Sequence, residues 1–266
     1  MEFEVLRFSD EQFAAFRTRA RAQFVQRCLN HVREYFPMQW RVLTPAVLEP
    51  GTYEMMHLLE QERGIRSERD NLLWLSLAMM IGTRFDLDPM TPWAGRILSR
   101  APNADPALDT RMRDVADLAL KHQKRVAGPQ NARMIKALLA LHKDADRVVD
   151  PAFGGAPDLK VPARIADVFP HKVRAIGQDR FTALVAHSHA VAQANGFTSP
   201  EGQTLMGVLH FMLGAGAHAD PFHGWFSSAL SDTVGQPERH RITTLHAKAV
   251  DLLDRIVLVS KEIRGV

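Results

Sequence analysis

The sequence predicts an all-α protein made of two tandem repeated helical-bundle units, and three observations carry that prediction. The stretch 64–100 recurs without a gap as 196–232, with eleven identities in 37 columns where chance gives about two. Apolar residues recur at intervals of three and four, and no segment sustains the alternation of a half-buried strand. Serine, proline and glycine sit where those periodic stretches begin and end. The identical pairs include Gly64/Gly196, Ser67/Ser199, Leu77/Leu209, Gly82/Gly214, Asp88/Asp220, Pro89/Pro221 and Trp93/Trp225, so caps, apolar positions and glycines recur rather than reactive groups.

Taken in order, Ser9 with Gln12 forms a capping box that opens a first helix, with Phe8 stapled onto Phe13. Phe13, Phe16, Ala20, Phe24, Cys28 and Val32 form its apolar stripe, which stops at Phe36-Pro37. The stretch 38–51, with Pro45 and Pro50, reads as loop with a short helix, followed by a helix over 53–62 that Gly64 terminates. Ser67, with Asp70 three residues on, caps the repeated helix, which Gly82 stops; its counterpart starts at Thr198 or Ser199, carries Pro200 in its first turn and stops near Gly214. Asp88-Pro89 and Asp220-Pro221 each cap a short helix bearing Trp93 or Trp225. Gly128-Pro129 breaks the chain, a helix follows over 132–147, and 150–157 is the clearest linker. The expected organisation is therefore a first unit over 1–127, a connecting helix and linker over 128–160, and a second unit over 161–266. Phe169-Pro170, His189 and Gln193 repeat the earlier Phe36-Pro37, His57 and Gln61.

Composition narrows the functional classes. Apolar residues make up 46% of 266, enough for two cores and too many for a disordered chain. The runs 72–82 and 205–217 are shorter than the ~20 residues that span a bilayer, so no membrane span is expected. A net charge of +3 gives no nucleic-acid-like field, and Arg17, Arg19, Arg21, Arg27 and Arg33 read as a solvated helix face. One cysteine, Cys28, and an acidic start without an apolar run lead to the expectation of a reducing, cytoplasmic location.

No motif nominates a catalytic group. Gly-x-Ser-x-Gly, the phosphate-cradling lysine loop and the dinucleotide fingerprint are all missing, and Gly214-Ala215-Gly216-Ala217 ends an apolar helix as a C-cap. Asp86 and Asp88 suggest a carboxylate pair, but His218 replaces Asp86 in the second copy and capping accounts for Asp88. Eight of the 12 histidines fall in the second unit, among them His187, His189, His210, His218 and His223. His187 and His189 diverge on a helix and no His-Glu-x-x-His is present, so no metal, no cofactor and no enzymatic activity are expected.

The phrases Glu62-Arg-Gly-Ile-Arg-Ser-Glu-Arg-Asp-Asn-Leu-Leu, Gly82-Thr-Arg-Phe-Asp-Leu-Asp-Pro and Pro92-Trp-Ala-Gly-Arg-Ile-Leu resemble small helical proteins of Gram-negative bacteria encoded beside type VI secretion spike and effector genes. The likeness runs from Phe8 to about Lys124; the second unit departs from it, with Pro200-Glu201-Gly202 standing for Glu-Arg-Asp. The resemblance implies a non-catalytic accessory protein, a chaperone or adaptor that binds a secreted effector. The alternatives are an immunity protein that neutralises a cognate toxin and, further off, a histidine-rich metal enzyme in the second unit with three imidazoles on one point. The residues expected to meet a protein partner are Phe222 and His223, with Trp225 behind them; neither nucleic acid nor membrane is expected as a partner.

Overall fold

The computed structural model describes residues 9–99, 108–145 and 165–264, and among them every regular element is a helix. The first half holds α1 (Asp10–Tyr35), α2 (Pro37–Leu43), α3 (Pro45–Arg63), α4 (Glu68–Ile81), α5 (Pro92–Leu98) and α6 (Leu108–Ala127). A 3-10 turn, Pro129–Asn131, leads into α7 (Ala132–Lys143). The rest comprises α8 (Pro170–Ile176), α9 (Gln178–Ala194), α10 (Pro200–Leu213), α11 (Gly224–Ser231) and the long α12 (Glu238–Arg264), with 3-10 turns at Ala217–Ala219 and Pro221–His223. No described helix is long and apolar enough to cross a membrane. Phe8, the linker 150–157 and the end of the helix expected over 132–147 lie outside the described residues.

The local signals act as expected. Ser9 Oγ accepts from Gln12 N at 3.2 Å while Ser9 N donates to Gln12 Oε1 at 2.9 Å, completing the box at the start of α1. Ser67 Oγ accepts from Asp70 N at 3.0 Å, and Ser199 Oγ accepts from Gly202 N at 3.2 Å. Gly64 closes α3 at φ 65°, in the left-handed region.

Two expectations are corrected. The stripe on α1 is buried only from Phe24 onward, while Phe13 and Phe16 are 48% and 54% exposed. The helices that cover α1 meet it from Arg21 onward, as the bonds from Arg21 Nη2 to Tyr53 O (3.5 Å) and between His31 Nε2 and Ser76 Oγ (2.9 Å) mark. The 38–51 stretch is helical, because Pro37 and Pro45 occupy first-turn positions where the missing N–H has no intrahelical partner to lose. Thr44, at φ 65°, makes the only break between α2 and α3.

Four apolar clusters fill the interior. The first gathers α1, α3, α4 and α6 around Phe24, Cys28, Leu48, Leu75 and Phe85, with Phe222 inserted from far along the chain. The second lies among α9, α10, α11 and α12 around Phe197, Met206, Phe226 and Leu245. The third joins Met90 to Ala137, Phe169, Phe181 and Phe211, and the fourth joins Val42 of α2 to Leu252 and Val259 of α12. Three of the four thus combine residues from before 128 with residues from after 160.

Candidate functional site

The chemistry-bearing side chains gather where α4 and α10 end. Gly82 N donates to Ala78 O and Gly214 N to His210 O, both at 2.9 Å, and the two glycines then turn at φ 93° and 108°. They face one another so closely that a Cβ on Gly82 would lie 2.9 Å from Leu213 O, which excludes any other residue there.

Two buried aspartates clasp this junction reciprocally. Asp88 Oδ1 accepts from Met90 N at 2.7 Å, and its Oδ2 accepts from Ala215 N at 2.9 Å, across 127 residues. Asp220 Oδ1 accepts from Phe222 N at 2.8 Å, and its Oδ2 accepts from Thr83 N at 3.1 Å. Each carboxylate therefore shapes its own Asp-Pro turn and ties down the residue after the opposite glycine. Burial raises the Asp88 pKa, and the N–H groups of Ala215 and Met90 oppose that rise. Asp86 serves a different purpose: it is buried against the guanidinium of Arg63, and desolvation raises its pKa despite that partner.

Beside the clasp lies a cavity of about 210 Å³. Asp88, Lys172, His122, His223 and Gln123 stand in its wall with Met79, Met80, Met90, Met134 and Met212. Lys172 Nζ donates to Phe211 O and sits 4.4 Å from the centre of the Phe211 ring. Among the described residues no carboxylate forms an ion pair with it. Burial brings Lys172 down to about 8, the charge of Asp88 opposing. Burial, with Lys172 and two arginines adding to it, brings His122 down to about 4.

No family model, no curated protein and no solved structure matches the chain.

The three residues expected to face a partner take different places. Phe222 is 2% exposed, and its ring is seated over Gly51 of α3, where a Cβ would lie 2.7 Å from its Cδ1. The ring packs into the first core. His223 stands in the cavity wall, and its buried Nδ1 has no hydrogen-bond partner among the described residues. Trp225 is half-buried and stacks on Phe226 at 5.2 Å between ring centres, and no described residue accepts from its Nε1.

His187, His210 and His218 do come together, with ring centres 5.1–6.5 Å apart. Their nitrogens address other atoms than a common centre. His210 Nδ1 meets Ser188 Oγ at 3.1 Å, His210 Nε2 meets His218 Nδ1 at 3.1 Å, and His187 Nε2 meets Ala215 O at 3.1 Å. Among the described residues no three His, Cys, Asp or Glu side chains are placed to hold a metal ion. His189, His240 and His246 take no part in this group, His246 Nε2 bonding instead to Ala145 O at 2.9 Å.

A second feature lies on another face. Leu138 and Leu141 of α7, Val208 and Met212 of α10, and Val250 and Leu253 of α12 line a groove in which, among the described residues, His246 is the one polar side chain. Sequence periodicity places these residues on apolar faces but cannot tell which faces remain partly open. Lys172 and His122 were not foreseen at all, since each is a lone polar residue in an unremarkable helix and only tertiary packing joins them.

Proposed function

We propose that the protein is a non-catalytic binding accessory, a chaperone or adaptor for a type VI secretion effector, assembled from two copies of one helical unit. The observation that carries this reading is the apolar groove between α7, α10 and α12, whose half-buried Leu138, Leu141, Val250 and Leu253 offer the kind of surface that receives an amphipathic helix. The reciprocal aspartates favour the duplicated ancestry, because the same column of the repeat performs the same task in each half. The resemblance over the first half supplies the effector as partner. Co-expression with the effector encoded beside it tests the proposal. A soluble complex is expected, and Val250→Glu or Leu253→Glu should abolish it while leaving the circular dichroism spectrum intact. A complex that forms equally well with both variants overturns the groove as its seat.

One observation favours the second reading, an immunity protein. Residues 10–20 of α1 are exposed throughout and present Phe13 and Phe16 beside Arg17 and Arg19, an aromatic and cationic projection suited to entering a toxin's cleft. Toxicity of the neighbouring gene product in cells, with and without this protein, separates the two. Rescue that is lost in Phe16→Asp supports immunity, and growth indifferent to this protein removes it.

A further inference from the structure

We infer that the cavity beside the Asp88 clasp binds a small carboxylate with a short apolar tail, held by Lys172, His122 and His223. The argument is one of unused hydrogen-bond capacity. An ammonium carries three donors, and Lys172 spends one on Phe211 O; the described residues offer no acceptor for the other two. Among the described residues His223 Nδ1, enclosed in the same wall, has no hydrogen-bond partner, and neither nitrogen of the half-buried His122 is bonded, its ring lying 6.4 Å from that of Trp93. A buried polar atom is left unpaired only at a cost of roughly 1–3 kcal/mol, and His223 Nδ1, with the spare donors of Lys172 and the unbonded ring of His122 beside it, points to an occupant of the void.

The occupant's chemistry follows from the wall. The one acidic side chain of the described wall, Asp88, accepts a backbone N–H on each oxygen and makes neither a hydrogen bond nor an ion pair with the ammonium. What is missing is therefore an acceptor, and a negative one, because Lys172 remains largely protonated at neutral pH even at a pKa of about 8. Five methionines, with Ile81, Val126 and Leu213, supply the apolar part of the wall, which suits a compact alkyl or aryl tail, while Thr91 and Gln123 add to its polar part. A void of about 210 Å³ has room for several waters or for an acid of a few carbons. Since the wall draws on α4, α6, α7, α8 and α10, the ligand would bridge the two halves of the chain at their clasp. The inference does not depend on the protein-binding proposal.

Calorimetric titration and thermal unfolding with butyrate, benzoate and neutral butyramide at about 10 mM test it. Butyrate or benzoate is expected to bind and raise the melting temperature where butyramide does not. Lys172→Met, which keeps the length and removes the charge, should weaken binding by about tenfold or more, the loss of a charged hydrogen bond. Should Lys172→Met fail to fold, His122→Leu provides the same comparison with a smaller loss. Equal responses to butyrate and butyramide, no response to either acid, or undiminished binding by a folded Lys172→Met protein would each overturn the assignment in favour of a cavity filled by water.

Discussion

Lowering the pH from about 8 to about 5 should remove about 2 kcal/mol of stability through His210 alone. His210 is fully buried, and desolvation, reinforced by its neighbours His218 and His187, holds its pKa down to about 3 from 6.5. The unfolded chain takes up this proton near 6.5 while the folded chain refuses it until about 3. Between those values the unfolded state binds more protons, so stability falls with falling pH; the full contribution is present above 6.5. At about pH 5 the imbalance amounts to about 1.5 units, hence about 2 kcal/mol at 1.36 kcal/mol per unit. His122, held down to about 4, adds a loss of similar size over the same interval. Asp86 and Asp88 act in the opposite sense: their raised values mean that the folded state binds protons first, so part of their burial cost is relieved on acidification. A comparison with His210→Gln isolates the histidine, because glutamine can still bond to Ser188 and His218 but does not titrate. Urea denaturation of both proteins at the two pH values should show the parent losing about 2 kcal/mol more than the variant. An equal loss in both would refute the burial argument.

Other consequences of the packing can be measured directly. Gly51→Ala drives a methyl into the Phe222 ring, 2.7 Å away, and should cost about 1–3 kcal/mol in denaturant unfolding; Phe222→Ala should cost about 3–5 kcal/mol through the cavity it leaves in the first core. Asp88→Ala and Asp220→Ala each orphan two buried N–H groups, so each should lose on the order of 2–4 kcal/mol, and the double variant should lose less than the sum because both act on one junction. Cys28, buried and pushed up to about 12 chiefly by desolvation, should resist a thiol reagent at about pH 8 in the folded protein and react promptly in urea; rapid native labelling would contradict its placement in the first core.

How much of this was legible in the sequence depends on the range of each interaction. Ser9 with Gln12, Ser67 with Asp70 and Ser199 with Gly202 span three residues, so their hydrogen bonds could be read from the order of residues alone. The stretch 38–51 was misread because proline signals either an interruption or a helix start, and Pro37 and Pro45 begin helices. The exposed Phe13 and Phe16 show the same limit from the other side: helical periodicity identifies a face but not the extent of the partner that covers it. Phe222 beneath Gly51, and Lys172 beside His122, are joined only by tertiary approach, and no local pattern marks them.

The clasp is the intermediate case, and its sequence signal was present but incomplete. Gly82 precedes Asp88 by six residues, as Gly214 precedes Asp220, and both pairs recur in the same columns. Helix termination explains each glycine and turn capping explains each aspartate, so a local reading leaves nothing over. The second oxygen of each aspartate supplies the further constraint: it holds the amide that follows the opposite glycine, at a point where two stretches of the backbone pass too closely for a side chain. Four residues thus form one unit whose members are paired between halves rather than within them. A change at Gly82 should consequently be felt through Leu213 and Ala215, and a bulkier residue there cannot be accommodated by adjusting the first half alone.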